Sequence, residues 1–188
     1  DEAVASGEPV VRPKASVQLD YECELVIVIG KGGRHIPEAS ALAHVFGYTI
    51  FNDVSVRDFQ RKTSQWLPGK NFDGTGPLGP CVVTADALPP GASGLDIKTR
   101  VNGETMQSSN TSDMIFPVAK IIETLSAFMT LEAGDLIATG TPSGARRQEA
   151  ARLDGIGGIA ELGPWIEVGG EEAVDAPGEV FGGEHVFF

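Results

Sequence analysis

Two glutamates that stand one residue apart are the first residues of this sequence whose type and spacing could do chemistry. Glu22 and Glu24 lead into an uninterrupted apolar run at residues 25–29. Because side chains of a strand alternate between its two faces, both carboxylates point to one side, about 7 Å apart. Carboxylates beside a buried strand are unfavourable unless a positive group holds them, and this pair can reach one hard cation. The alternative is a solvated strand end.

A third carboxylate stands at the end of another predicted strand. Residues 48–51 favour a strand, and Asn52 and Asp53 follow it directly. If Asp53 meets the two glutamates, the three carboxylates leave open positions for water and substrate. Such an all-oxygen site suits Mg²⁺, Ca²⁺ or Mn²⁺ rather than zinc.

Three further polar residues can face the same cleft. Arg57 and Gln60 follow Asp53 by one helical turn or so, and Lys70 lies in a glycine-flanked loop. Each has an ordinary alternative. Arg57 can simply pair with a neighbouring aspartate, Gln60 can be solvated, and Lys70 can lie on a mobile surface loop.

Length and composition describe a globular protein with acidic character. The chain has 188 residues, of which 41% are hydrophobic, and a net charge of −12. This charge argues against nucleic acid and against an anionic membrane surface as partners. No apolar run approaches the roughly 20 residues of a membrane span, so we expect no membrane segment. Cys23 and Cys81 show no metal-binding spacing, which favours a reducing cytoplasm, although a disulfide between them stays open.

Helices are predicted in three places. A short one begins near Pro37 and ends at Gly47, and another runs from a capping Ser55 to about Ser64. The best helix covers residues 117–129. Its apolar positions follow a helical period and predict one buried stripe, made of Val118, Ile121, Ile122, Leu125, Phe128 and Met129.

The remaining elements divide the chain into three parts. Strands are predicted at residues 20–30, 48–51, 81–84 and 136–139, with a hairpin around Asn102-Gly103 and a loop at 66–80. We expect an irregular lead-in at 1–19, a catalytic domain at 20–144 and a glycine-rich acidic tail at 145–188. The tail begins with a possible short helix at 146–153. Beyond it, nine of the 34 residues from 155 to 188 are glycine, which predicts no fold.

Seven runs of the sequence form a recognisable set: LDYECEL at 19–25, GYTIFNDVS at 47–55, RDFQ at 57–60, GKNFD at 69–73, PLGP at 77–80, NTSDMIF at 110–116 and GDLIATGTP at 134–142. Through these runs, residues 19–144 resemble the C-terminal catalytic domain of the fumarylacetoacetate hydrolase family. They cover about two thirds of the chain in the family's order. The resemblance implies an α+β fold, a mixed β-sandwich roll with a few flanking helices, and a homodimer.

The same resemblance assigns roles to individual residues. It implies that Glu22, Glu24 and Asp53 bind Mg²⁺ or Mn²⁺, with Ca²⁺ as a possible substitute in crystals. The positions that match substrate or enolate contacts in the family are Arg57, Gln60, Lys70 and Thr141.

The implied reaction is hydrolysis of a C–C bond in a small oxo-acid, a 1,3-dicarbonyl or acylpyruvate, through a metal-stabilised enolate. The same enolate chemistry serves an oxo-acid decarboxylase or a hydroxydienoate isomerase. Family members often carry a water-activating His and Glu ahead of the metal strand, and residues 1–19 contain no such pair. The tail likewise departs from the family's closing strands. A metal-binding but non-catalytic relative, or a fragment whose missing half supplies the base, is therefore the competing hypothesis.

Overall fold

The computed structural model describes residues 3–101 and 104–143, together with the backbone of residues 163–167. The strands are β1 (Ala3–Ala5), β2 (Leu19–Asp20), β3 (Cys23–Ile29), β4 (Val45–Asn52), β5 (Ser55–Val56), β6 (Gly76–Leu78), β7 (Val83–Thr84), β8 (Asp96–Val101), β9 (Glu104–Asn110), β10 (Leu136–Ala138) and β11 (Gly163–Glu167). The α-helices are α1 (Glu38–Ala41), α2 (Arg57–Gln60) and α3 (Val118–Phe128). The expected α+β class is confirmed.

β3 is an interior strand of the largest sheet, between β4 and β10. Among the described residues this sheet has the order β1-β6-β4-β3-β10, and β7 also pairs with β4. A second sheet has the order β11-β8-β9, and β2 pairs with β5 separately. All seven residues of β3 are buried, as the continuous apolar run predicts for a strand covered on both faces.

The main hydrophobic core lies between β3, β4 and α3. Leu25, Ile27 and Ile50 from the two strands pack together with Val118 and Ile122 from α3. The helix predicted at residues 117–129 is therefore confirmed, and its inner face closes one side of the sheet that carries the glutamates.

The predicted stripe on α3 is wrong at its C-terminal end. Phe128 is 61% exposed and Met129 42% exposed, whereas Ser126 is fully buried. The Ser126 hydroxyl accepts a hydrogen bond from the Ile36 backbone and donates one to the Glu123 carbonyl. The chain crosses α3 closely at this point, so a small polar side chain fits where the apolar period predicts a large one.

The helix predicted between Pro37 and Gly47 is much shorter than expected. α1 has four residues, a 3₁₀ turn follows at Leu42–His44, and β4 already begins at Val45. Gly47 lies inside β4, where a Cβ atom would stand 2.3 Å from the Val83 carbonyl oxygen. This glycine therefore permits the close approach of β7 and does not terminate a helix.

The helix predicted from Ser55 to Ser64 is also reduced, to the four residues of α2. Ser55 lies in β5, which pairs with β2, and its hydroxyl donates to the Asp53 carbonyl and caps no helix. The strand predicted at residues 20–30 is correspondingly broken after Asp20, because β2 pairs with β5 whereas β3 pairs with β4.

Short strands occur in three segments where the sequence predicts irregular structure. β1 lies in the lead-in, β6 in the 66–80 loop and β11 in the tail, and each pairs with a strand distant in sequence. Strands of three to five residues paired over long range leave little local pattern, which explains why they escape prediction. The possible helix at 146–153 and the turn at Asn102-Gly103 lie outside the described residues, while the antiparallel β8–β9 hairpin is confirmed.

Two remaining expectations concern cysteines and membranes. Cys23 is buried, Cys81 is exposed, and both are free thiols. Within the described part of the chain, no helix combines the length and the apolar character that crossing a membrane requires. The homodimer and the cytoplasmic location stay predictions.

The core role of α3 can be tested by truncating one side chain on each of its faces. We expect Ile122→Ala to lower the free energy of unfolding by about 2–5 kcal/mol, because Ile122 is fully buried. The control Phe128→Ala should change it by less than about 0.5 kcal/mol, because that ring is mostly exposed. Urea denaturation of both variants measures the difference, and equal losses would contradict the assigned orientation of the helix.

Candidate functional site

The pairing of β3 with β4 brings three carboxylates together. Cys23 on β3 pairs with Asn52, the last residue of β4. Asp53, which follows Asn52, therefore lies beside Glu22, and the Asp53 backbone N–H donates to the Glu22 carbonyl at 2.9 Å. One oxygen from each of Glu22, Glu24 and Asp53 lies within 4.8 Å of the others. The three residues predicted as metal ligands therefore converge on one point.

Arg57 is held against this group by a fourth carboxylate. Its Nε donates to Asp20 Oδ2 at 2.8 Å, and its Nη1 donates to Glu22 Oε1 and, at 3.0 Å, to Gln60 Oε1. The β2–β5 pairing places Asp20 opposite Ser55, two residues before Arg57. Arg57 and Asp20 are both buried, so neither charge is left to solvent.

Lys70 approaches from a separate 3₁₀ turn, Leu67–Gly69. Its ammonium donates to Glu22 Oε2 at 2.9 Å and to Asp53 Oδ2 at 2.5 Å. A Cβ atom at Gly69 would lie 2.6 Å from the backbone nitrogen of Gln60. Glycine is therefore required for this turn to pack against α2, and that packing sets the position of Lys70.

Glu24 is held differently from the other carboxylates. Its Oε2 accepts the backbone N–H of Gly140 at 2.9 Å. Thr141 follows Gly140, but its hydroxyl accepts a hydrogen bond from Gln107 Nε2 at 2.9 Å. Six of the seven predicted site residues thus form one cluster, whereas Thr141 adjoins the cluster through its backbone.

Burial shifts the proton affinities of the acidic groups upward. Burial, followed by repulsion from Asp53 and Glu22, raises the pKa of Glu24 to about 7 even though the Gly140 N–H opposes the shift. Burial also raises the pKa of Asp20 and of Asp53, against the attraction of Arg57 and Lys70 respectively. Burial alone would lower the pKa of Arg57, but its bonds to Glu22 and Asp20 outweigh burial and raise it.

The charge balance and the donor atoms fit a divalent cation. Asp20, Glu22, Glu24 and Asp53 provide four negative charges when ionised, and Arg57 and Lys70 provide two positive ones. The ionised cluster therefore has a net charge of −2. Convergent carboxylate oxygens are the ligands that hard divalent cations prefer, and one such ion would neutralise the cluster.

A cleft of about 530 Å³ adjoins the turn that holds Glu24. Gly140 and Thr141 form part of its wall, and apolar side chains such as Leu25, Met114 and Phe116 form much of the remainder. Leu25 faces away from Glu24 on β3, so the cleft lies beside the carboxylate cluster and does not contain it.

Four residues without a predicted role also support the site. Asp20 precedes Glu22 by two residues, as Glu22 precedes Glu24, so strand alternation could have predicted that all three carboxylates lie on one face. Asn52 precedes Asp53, and its Oδ1 accepts the Glu22 backbone N–H at 3.1 Å. Gly140 and Gln107 act through tertiary contacts, which carry no sequence signal of this kind.

Comparison with known proteins relates this site to a family. The family model described as fumarylacetoacetate (FAA) hydrolase C-terminal matches residues 1–172. The oxaloacetate tautomerase YisK of Bacillus subtilis (strain 168) is 54% identical over 127 residues, covering 68% of this chain and 42% of that protein. The chain spans 42–55% of the length of the curated relatives it matches.

Two solved structures are similar in fold as well as in sequence. A 5-carboxymethyl-2-hydroxymuconate delta-isomerase from Mycobacterium smegmatis has a TM-score of 0.73 and 40% identity, covering 78% of this chain and 57% of its own. A fumarylpyruvate hydrolase from Pseudomonas aeruginosa, in complex with Mn²⁺ and pyruvate, has a TM-score of 0.67 and 38% identity, covering 76% and 63%.

The raised pKa of Glu24 predicts a stability that falls with pH in metal-free protein. The folded pKa, about 7, exceeds the ordinary value of 4.5, so the folded state binds the extra proton between these values. The contribution of Glu24 to the free energy of unfolding is complete below about pH 4.5 and is lost as the pH rises through about 7. A shift of this size corresponds to about 3 kcal/mol.

Urea unfolding in a chelator at several pH values between 4.5 and 8 measures this dependence. Glu24→Gln should flatten the curve, because the neutral amide cannot titrate. An unchanged slope in that variant would assign the pH dependence to other groups.

Proposed function

We propose a function for this chain from one established premise: it belongs to the fumarylacetoacetate hydrolase family. The proposed reaction is keto–enol tautomerisation of a small 2-oxo acid such as oxaloacetate, dependent on a divalent cation. In this reaction one C–H bond beside the oxo group breaks and one O–H bond forms. The observation that carries the proposal is the convergence of Glu22, Glu24 and Asp53 with the Lys70 ammonium bonded to two of them.

The proposed cation is Mg²⁺ or Mn²⁺, held by Glu22, Glu24 and Asp53. When bound, it supplies a Lewis acid that draws electron density from the oxo group and makes the neighbouring C–H more acidic. The Mn²⁺ complex of the Pseudomonas aeruginosa relative supports a divalent ion of this kind.

Lys70 is the proposed hydrogen-bond donor and charge-stabilising group at the substrate oxygen. An ammonium has three N–H donors, and Glu22 Oε2 and Asp53 Oδ2 occupy two of them. The third can donate to the oxygen on which negative charge develops when the C–H bond breaks. The interaction strengthens as the charge grows, so it accelerates the reaction rather than merely binding substrate.

Arg57 and Gln60 are proposed to bind and orient the substrate carboxylate. The Nε and Nη1 groups of Arg57 are bonded to Asp20, Glu22 and Gln60, which fixes the plane of the guanidinium. Nη2 makes no hydrogen bond within residues 3–101 and 104–143, so it remains able to donate to an anionic substrate. The Thr141 hydroxyl accepts from Gln107 and keeps its own O–H donor, and Thr141 lines the adjoining cleft, so a substrate contact through that donor is proposed for it.

The relatives support proton transfer more strongly than the C–C hydrolysis expected from the sequence. A named tautomerase is 54% identical over its matched region, while a named isomerase and the named hydrolases among the solved structures are 38–48% identical. Decarboxylation of the same oxo acid passes through the same enolate and remains a second reaction to assay.

The proposed role of Lys70 can be tested by conversion of enol-oxaloacetate, followed by its ultraviolet absorbance with Mn²⁺. Lys70→Met should lower kcat by about 10²–10³-fold with a smaller effect on KM, because the lost interaction acts mainly in the transition state. Lys70→Arg should recover only part of the rate, because it keeps the charge but not the compact shape.

The assay also separates the competing reactions. Cleavage of an acylpyruvate without tautomerase activity would favour the hydrolase. Mn²⁺ binding without turnover of either substrate would favour a non-catalytic relative. Wild-type kcat in Lys70→Met would remove Lys70 from the mechanism.

The metal ligands can be tested by calorimetric titration with Mg²⁺ and Mn²⁺. Asp53→Ala should weaken binding by at least about 100-fold, because losing a ligand costs more than losing an outer-shell partner, typically about 10–100-fold. Asp86→Ala is the matched control, since it removes an exposed carboxylate outside the cluster. Equal affinities in the two variants would exclude Asp53 from the site.

A further inference from the structure

Gln107 is a buried amide, and three of its four side-chain hydrogen bonds run to segments that flank the carboxylate cluster. It is 1% exposed in β9. Its Oε1 accepts from the Cys23 backbone N–H at 3.2 Å and from the Thr99 hydroxyl at 2.7 Å. Its Nε2 donates to Thr141 Oγ1 at 2.9 Å and to the Pro142 carbonyl at 3.1 Å. Two acceptor and two donor bonds satisfy this side chain completely.

These bonds close a ring around Glu24. Cys23, whose N–H is bound by Gln107, stands between Glu22 and Glu24 on the chain. Thr141, at the other side of Gln107, follows Gly140, whose N–H donates to Glu24 Oε2 at 2.9 Å. Gln107 therefore joins the backbone that carries Glu24 to the turn that holds the Glu24 carboxylate.

We propose that Gln107 is a positioning residue that holds Glu24 in its metal-binding orientation by clamping the Cys23 backbone to the 140–142 turn. Gln107 itself makes no hydrogen bond to the carboxylates in the described structure, so it acts through Cys23 and Gly140. The inference rests on the proposed function for the metal that Glu24 would bind. Metal binding, however, can be measured without any turnover.

A glutamine is required here because the clamp needs donors and acceptors on one short planar group. Methionine has a similar length but forms no comparable hydrogen bonds, so Gln107→Met would leave the buried Cys23 N–H unpaired and would release the half-buried Pro142 carbonyl from its donor. The Cys23 N–H can regain a partner only by moving, and the released 140–142 turn is free to shift; both movements displace Glu24 relative to Glu22 and Asp53.

The test is calorimetric titration of the folded protein with Mn²⁺. Gln107→Met should weaken Mn²⁺ binding by about 10–100-fold, the usual effect of removing an outer-shell partner of a ligand. Thr141→Val removes one of the four bonds and should cause a smaller loss. The matched control is Ser126→Ala, which removes a fully buried hydrogen bond on α3 and should lower stability while leaving Mn²⁺ affinity unchanged.

Each outcome decides a distinct point. Wild-type affinity in folded Gln107→Met would overturn the positioning role while leaving the proposed function intact. An equal loss in Ser126→Ala would assign the effect to general destabilisation and likewise overturn that role. If Gln107→Met does not fold, Thr141→Val decides, and wild-type affinity in that variant overturns the inference. Failure of the wild type to bind Mn²⁺ would overturn the proposed function itself.

Discussion

Burial of four carboxylates around the start of β3 is the constraint on which the rest of the site depends. Charges removed from water must be paired, and Glu22 is paired twice, with Arg57 on one oxygen and Lys70 on the other. Both cations come from segments with little regular structure of their own. Arg57 is fixed by the β2–β5 pairing, and Lys70 by the contact of Gly69 with α2. The segments that carry Arg57 and Lys70 are therefore also held by the ion pairs that these residues form with Glu22.

Glu24 is the one carboxylate of this cluster without a contacting cationic side chain among the described residues, and this supports a cation site beside it. Asp20, Glu22 and Asp53 each contact a cationic side chain, whereas the partner of Glu24 is a neutral backbone N–H. Burial raises the pKa of Glu24, and no contacting cationic side chain offsets that burial. A divalent cation would supply the missing charge at the point where the three proposed ligands already meet. With the proposed cation bound, Lys70 would add a second positive charge near it, and such charges stabilise a developing enolate of the kind proposed here.

The sequence predicted those features that follow from a local period. Alternation placed Glu22 and Glu24 on one face, and the helical period located α3, whereas the family resemblance was needed to add Asp53 to the pair that it joins in the structure. The sequence did not predict β1, β5, β6 or β11, because two to five residues with distant partners leave no recognisable period. Gly47 and Ser55 were misplaced for the same reason, since each resembles a helix terminus locally and serves a strand pairing instead. Gln107 lies beyond local prediction, because its role comes from contacts with three separate segments.

The end of the lead-in belongs physically to the site. The Ser16 hydroxyl donates to Asp58 Oδ1 at 2.6 Å, the Gln18 carbonyl accepts the Arg57 N–H at 2.8 Å, and Asp20 accepts from the Arg57 side chain. α2 is only four residues long and cannot be stable as an isolated helix, so these contacts hold it in place. A domain that began after residue 19 would lack the contacts of Ser16 and Gln18 with α2. Without these contacts Arg57, the shared partner of Asp20 and Glu22, would not be held in position. The unit that forms the carboxylate cluster therefore extends back at least to Ser16, in agreement with a family match that includes residues 1–19.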